Sequence, residues 1–78
     1  MMTGRAKRRH NETAINVLSK NIRKYRKEQK LTIVKLAELL DMDYAQLSRI
    51  ERGLKNPTVS FIFDVAIHLK ITPSKLLE

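Results

Sequence analysis

The sequence has no cysteine and very little glycine, and each shortage excludes a class of site. Without cysteine the chain has neither a disulfide framework nor a thiolate metal site, and it suits a reducing cytoplasm. The only glycines are Gly4 and Gly53, so there is no glycine-rich phosphate loop. The two histidines, His10 and His68, stand apart, and no carboxylate pair has metal-ligand spacing. Nothing here favours an enzyme, a cofactor or a bound metal.

Long apolar runs are also missing. The longest begins at Val59, is interrupted by Asp64, and is far too short to span a bilayer. The basic start, MMTGRAKRRH, is not followed by an apolar stretch of signal-peptide length. We therefore expect a soluble, cytoplasmic protein. We also expect a single small domain, because 78 residues with 42% hydrophobic content supply one modest core.

The positive charge is concentrated in the first part of the chain. Residues 1–30 contain ten Lys or Arg and two Glu, which accounts for the whole net charge of +8, whereas residues 31–78 contain six of each sign. The excess forms two clusters, RAKRR at 5–9 and KNIRKYRKEQK at 20–30. This polarity favours an anionic polymer or surface as partner, although a solvated helix face with a disordered tail would explain it equally well.

The apolar spacing predicts five short helices and no strand. Residues 1–10 have no apolar period and are predicted to be a disordered basic arm, and residues 11–78 are predicted to form the folded domain. The first predicted helix starts at Asn11 or Thr13 and ends near Gln29. The second covers about 33–40 and has Thr32 as its cap, and the third runs from about Tyr44 to Arg52. The fourth predicted helix starts at Thr58 or Ser60 and ends near Leu69. The fifth begins at Pro73 and has Thr72 as its cap.

The segment LLDMDYAQ at 39–46 ends one helix and starts another without glycine or proline. Asp41 is predicted to take the left-handed conformation in the turn, because aspartate tolerates it better than most residues. Asp43 is predicted to cap the next helix. Two short helices joined by a tight turn make a helix-turn-helix, whose second helix can enter the major groove of B-form DNA. An ordinary helical hairpin inside a small bundle has the same pattern.

Several motifs, taken in their order and spacing, carry a specific resemblance. They are IRKYRKEQKLT, LAELL, SRIERG, NPT and LKITPSKLL, spread over residues 22–77. With them the chain resembles the lambda-repressor-like, Cro/C1-type (XRE) helix-turn-helix family over about residues 18–77. Within that family it is similar to short stand-alone regulators such as restriction–modification controller proteins, small prophage repressors and antitoxins. The resemblance implies an all-α, five-helix DNA-binding domain of a transcription regulator.

The same resemblance assigns DNA contacts position by position. The implied base-contacting residues are Tyr44, Ala45 and Arg49. Arg49 is the strongest of them, because a guanidinium can pair with the O6 and N7 of guanine. The implied backbone-contacting residues are Thr32, Lys35, Gln46, Ser48, Arg52, Lys55 and Asn56. Where the family usually has glutamine this chain has Ile33, so either Lys35 replaces that contact or Ile33 packs locally and the contact is lost.

Three further assignments concern structure and association. Because an acid on a DNA-facing helix would be repelled, the resemblance implies that Glu51 turns inward and pairs with Arg26 of helix one. Four basic residues of the arm either bind DNA phosphates independently of sequence or stay solvated. They are Arg5, Lys7, Arg8 and Arg9. Helix four is too apolar for one core, so its surplus predicts a homodimer interface unless the N-terminal extension covers it. The candidates are Phe61, Ile67, Ile71 and Leu77.

A homodimer would read an inverted-repeat operator, with half-sites about 34 Å apart, because one domain of this size covers too little DNA for tight specific binding. Two other partners stay open. The chain could be an antitoxin whose main partner is a toxin, with operator binding for autoregulation, or an adaptor on the ribosome, on RNA polymerase or on a transcription factor. We expect no membrane partner, since the apolar face of helix one is committed to the core, and no small-molecule ligand.

Overall fold

The computed structural model describes residues 12–78, which fold into four α-helices and a C-terminal 3₁₀ helix. The α-helices are α1 (Glu12–Glu28), α2 (Ile33–Leu39), α3 (Tyr44–Glu51) and α4 (Val59–Leu69), and the 3₁₀ helix is Pro73–Leu77. This part of the chain contains no strand, so the all-α prediction is confirmed. The predicted basic arm lies outside the described residues.

The predicted fifth helix is a 3₁₀ segment and not an α-helix. It is five residues long, and 3₁₀ geometry is common in pieces that short. Pro73 sets its first turn, Leu76 is fully buried, and Asn21 Nδ2 of α1 donates to the Leu76 carbonyl at 2.9 Å. That carbonyl is therefore held by α1, which fixes the end of the segment against the first helix.

The core is built from one apolar face of each α-helix and from the 3₁₀ helix. In α1, Ile15, Leu18 and Ile22 are buried, and Tyr25 packs at the edge of the core. The other buried apolar residues are Leu36 and Ala37 of α2, Leu47 and Ile50 of α3, Val65, Ala66 and Leu69 of α4, and Leu76. No helix in residues 12–78 is long and apolar enough to cross a membrane.

Side chains cap three of the helix starts. Thr32 Oγ1 accepts from the Lys35 N–H at 3.0 Å, and Thr58 Oγ1 accepts from the Phe61 N–H at 3.0 Å. Thr58, not Ser60, is therefore the residue that opens α4. At the start of α3, Asp43 is the N-cap, and its backbone N–H donates to Gln46 Oε1 at 3.4 Å. These bonds satisfy amides that have no partner within the helix.

Each α-helix is followed, within two positions of its last residue, by a residue in the left-handed conformation. Asp41 has φ 55°, as predicted for the turn between α2 and α3, and Gly53 has φ 74° after α3. Lys30 and Lys70, with φ 60° and 61°, do the same after α1 and α4. In all four places the next N–H donates to a carbonyl five residues earlier, for example Met42 to Ala37 at 3.0 Å.

Candidate nucleic-acid interface

α3 has one face fixed in the core and one face in solvent. Leu47, Ile50 and Glu51 are buried on the inner side. The three residues that the resemblance assigns to base contacts all lie exposed on this helix: Tyr44, Ala45 and Arg49. Tyr44 leaves 54% of its surface open although it is a large aromatic residue. The outer face of α3 is therefore available to a partner along the length of the helix.

Two hydrogen-bonded contacts join Arg26 to Glu51 and hold α3 against α1. Arg26 Nε lies 2.7 Å from Glu51 Oε2, and Arg26 Nη2 donates to Glu51 Oε1 at 3.0 Å. The third donor group, Nη1, bonds to the Leu31 carbonyl at 2.8 Å. The two side chains are 10% and 2% exposed, so the pair is buried and its geometry is bidentate. The structure thus brings together the two residues that the resemblance paired, and Glu51 points away from the outer face.

Arg23 is a second arginine on the same contact, and the sequence analysis did not single it out. Its Nη1 group donates to the backbone carbonyl of Glu51, the last residue of α3. The last carbonyls of a helix have no partner within it, so this bond satisfies one of them from outside. Arg23 and Arg26 are three residues apart and lie on neighbouring turns of α1. That spacing was the available signal, but it is hidden in a cluster of six basic residues between 20 and 30.

Thr32 and Ile33 lie where α2 begins, beside the turn that leads to it. Thr32 is exposed, and its Oγ1 accepts from the Lys35 N–H, so its hydroxyl group can still donate to another acceptor. Ile33 is half-buried and packs against the core, which does not exclude a phosphate contact by Lys35 in its place. Lys35 is exposed, and its Nζ lies 3.8 Å from Glu38 Oε1 in a surface pair that contributes little to stability.

The remaining candidates lie at the two ends of α3, Gln46 in its first turn and the others at or after its last turn. Gln46 uses Oε1 in the cap of α3, which leaves its Nε2 group as the donor on the solvent side. Arg52 is exposed, and its Nε donates to the Ser48 carbonyl at 3.4 Å. Lys55 and Asn56 are exposed in the loop that follows. The arm residues Arg5, Lys7, Arg8 and Arg9 lie outside the described residues.

The structure divides the four candidates for a dimer interface into two pairs. Phe61 and Ile71 are half-buried and pack against the core, and Phe61 also lines a cavity of about 170 Å³ beside Met42 and Ile50. Ile67 and Leu77 are 69% and 57% exposed. The first pair therefore belongs to the core of its own chain, and only the second pair is open to a partner.

Within residues 12–78, no group of three or more His, Asp or Glu side chains could hold a metal ion. A depression of about 360 Å³ beside Glu38, Asp41 and Asp43, at the turn between α2 and α3, is open to solvent. Neither this depression nor the cavity of about 170 Å³ beside Phe61 has convergent catalytic groups.

The chain is similar to known helix-turn-helix proteins. The helix-turn-helix family model HTH_3 matches residues 22–76. The chain is 28% identical to a hypothetical transcription factor NHTF from Neisseria, with a TM-score of 0.81, over 87% of this chain and 79% of that one. It is 26% identical to the restriction-modification controller protein C.AhdI from Aeromonas hydrophila, with a TM-score of 0.77, over 82% and 97% of the two chains.

A third similar structure is SinR, the master regulator for biofilm formation, solved in complex with DNA. This chain is 34% identical to it, with a TM-score of 0.74, over 78% of this chain and 98% of that one. No curated protein matches the chain. The family model covers more than half of the sequence, and it covers α2, α3 and the turn between them. The chain therefore belongs to the HTH_3 helix-turn-helix family of Cro/C1-type DNA-binding transcription regulators, and not to a family of enzymes.

Proposed function

We propose that this chain is a sequence-specific regulator that binds an inverted-repeat operator in double-stranded DNA as a homodimer, with α3 in the major groove. The outward face of α3 carries this proposal, because the opposite face is fixed in the core by Leu47, Ile50 and the buried Arg26–Glu51 pair. A helix held rigidly on one side and open on the other has the dimensions that the major groove admits.

Arg49 is proposed to read guanine through its O6 and N7, since its guanidinium is exposed on the outer face. Tyr44 and Ala45, one turn earlier, are proposed to contact base edges or thymine methyl groups. Phosphates on the two sides of α3 are proposed to be bound by two further groups of residues. Beyond the C-terminal end of α3 these are Arg52, Lys55 and Asn56, and near the start of α2 they are Thr32 and Lys35. Gln46 and Ser48 complete that set. Phosphate contacts of this kind fix the register of the helix and carry no sequence information.

Structures of the similar protein SinR give independent support for two kinds of partner. SinR has been solved with DNA and also in a complex with the SinI protein. The second structure supports, as an alternative for this chain, a regulator that also binds a protein partner; for an antitoxin-type protein that partner would be a toxin. The exposed apolar side chains of α4 are the observation in this chain that is consistent with a protein partner.

The experiment that tests the proposal is selection of bound duplexes from a random DNA pool, with the full chain at near-physiological salt. An enriched inverted repeat, with half-sites about one helical turn apart, is the expected result. Salt-sensitive binding without any enriched motif would show that only phosphate is recognised and would end the operator hypothesis. In that case a protein partner becomes the leading explanation for the fold.

Arg49→Ala tests the assignment within the motif. We expect it to weaken binding to the selected sequence by about 1–3 kcal/mol and to relax the preference at one position of each half-site. Lys75→Ala is the matched control, because Lys75 is also an exposed basic residue but lies on the 3₁₀ helix. A uniform loss across all sequences in Arg49→Ala would reassign this residue to phosphate.

A further inference from the structure

α4 carries an apolar stripe that the core does not use. Val59, Phe63 and Ile67 are 70%, 54% and 69% exposed. Their i, i+4, i+8 spacing places them along one side of the helix. The buried residues of the same helix, Val65, Ala66 and Leu69, lie on a different side. Every residue of the stripe is apolar and more than half open.

We infer that this stripe is the face through which two copies of the chain associate, with each α4 antiparallel to the other. This inference rests on the proposed function, which requires two copies of the chain to bind one inverted repeat. Of the interface candidates in the sequence it keeps Ile67 and adds Val59 and Phe63. Phe61, two residues from Phe63, packs against the core instead.

Charge determines which surface can meet its own copy. The chain has a net charge of +8, so two copies repel unless the contact avoids their basic surfaces. α1 cannot serve, because Lys20, Lys24 and Lys27 are exposed and lie on one side of it. α4 is eleven residues long, and Asp64 is its only residue with a formal charge at pH 7. Depletion of charge is also what distinguishes the centre of protein interfaces.

The spacing of the stripe is self-complementary when the two helices are antiparallel. A two-fold axis beside the central residue places Phe63 against the Phe63 of its copy, and Val59 against Ile67. Paired aromatic rings add to the apolar contact. The antiparallel arrangement also brings the positive end of each helix dipole next to the negative end of the other. Parallel helices would instead bring like ends together.

The stripe is small, which sets the expected strength of association. Three half-open side chains bury less than the roughly 800 Å² per partner of a standard interface. The free dimer is therefore expected to be weak and dependent on concentration. Two copies held on neighbouring half-sites have a high effective concentration, and the same contact then makes their binding cooperative.

Sedimentation equilibrium of the full chain without DNA tests the inference. We expect a monomer–dimer equilibrium whose dissociation constant rises at least tenfold in Phe63→Ser and severalfold in Val59→Ser. Val34→Ser is the matched control: Val34 is 53% exposed near the start of α2, as Val59 is near the start of α4. It should leave the constant unchanged within twofold. Thermal unfolding of each variant at monomeric concentrations checks that the fold is retained.

The absence of cysteine permits a second test of the antiparallel arrangement. Two single variants, Val59→Cys and Ile67→Cys, are mixed and oxidised. Disulfides should join unlike chains in preference to like chains, because a disulfide needs Cα atoms about 4.4–6.8 Å apart.

A wild-type chain that stays monomeric at millimolar concentration would overturn the inference, as would a dimer that Phe63→Ser leaves intact. Preferential linking of like chains would reject the antiparallel arrangement. None of these measurements uses DNA. Failure of the operator hypothesis is therefore seen separately, in the selection experiment.

Discussion

Arg26 and Glu51 are buried in a place where a hydrophobic pair would be easier to accommodate. Removing two charges from water is expensive, and their attraction offsets that expense only with good geometry and satisfied hydrogen bonds. Here two parallel N–H···O contacts of 2.7 and 3.0 Å and a third bond to the Leu31 carbonyl meet that condition. The pair therefore specifies how α3 is oriented on α1, and its rupture leaves a charge without a partner.

Arg26→Ala is expected to lower the free energy of unfolding by about 3–5 kcal/mol, because Glu51 is then buried and unpaired. Urea denaturation measures the loss, and Lys27→Ala, an exposed neighbour on α1, should lose less than about 1 kcal/mol. A double change, Arg26→Met with Glu51→Leu, should recover most of the stability by replacing the ion pair with apolar side chains. If Arg26→Ala were no more harmful than Lys27→Ala, the pair would not be buried in solution.

Arg23 holds the same end of α3 through its backbone. Arg23→Ala should leave the Glu51 carbonyl without its donor, costing roughly 1 kcal/mol. It should also speed hydrogen exchange at the amides of Arg52, Gly53 and Leu54 in the free protein. Arg23→Lys should restore part of the protection, whereas Lys20→Ala, an exposed site on α1, should not alter it.

DNA binding separates this positioning role from a direct contact. If Arg23 positions α3, Arg23→Ala weakens operator binding while the slope of log K against log salt stays the same. A slope reduced by about 0.9 would show instead that Arg23 neutralises a phosphate.

At the scale of helices, the four chain reversals show what local sequence can and cannot specify. Gly53 and Asp41 are recognisable from the sequence, since both residue types tolerate positive φ. In the structure both residues have positive φ. Lys30 and Lys70 take the same conformation without any such signal. There the following N–H groups of Leu31 and Ile71 bond back to Arg26 and Ala66, and buried neighbours fix the turn. Tertiary packing, not residue type, selects these two helix ends.

Thr58 and Thr72 precede α4 and the 3₁₀ helix, and they differ in one hydrogen bond. Thr58 Oγ1 accepts from the Phe61 N–H at 3.0 Å, whereas Thr72 makes no side-chain bond to the backbone of its helix and instead lies 3.0 Å from Ser74 Oγ. Thr58→Ala is therefore expected to destabilise the chain by about 1 kcal/mol, and Thr72→Ala by less than about 0.5. Equal losses in urea denaturation would contradict the cap assignment at Thr58.

The site was predictable where a residue type conflicts with its surroundings. An acid such as Glu51 was expected to turn inward on a helix proposed to face DNA, and the exposed face of α3 follows from the apolar positions Leu47 and Ile50. The choice between Phe61 and Phe63 was not predictable. α4 is apolar on several sides, so its sequence does not determine which side meets the core, and its packing against the other elements decides this.

At the scale of the whole molecule, half of the net charge lies on the arm. Arg5, Lys7, Arg8 and Arg9 supply four of the eight excess positive charges, while the proposed base contacts lie on α3. Phosphate binding is independent of sequence and depends strongly on salt, whereas base contacts distinguish sequences. We therefore expect the arm to supply affinity and α3 to supply specificity.

Removing the charge of the arm tests this division. We expect a variant with Gln at positions 5, 7, 8 and 9 to bind the selected operator more weakly at low salt. The slope of log K against log salt should fall by up to about 3.6, since each neutralised phosphate contributes about 0.9. The motif enriched from random DNA should stay the same, because α3 is unchanged. Fluorescence anisotropy at several salt concentrations measures the slope, and deletion of residues 1–9 should give the same value. An unaltered slope would mean that the arm stays solvated, and a changed motif would mean that it contacts bases.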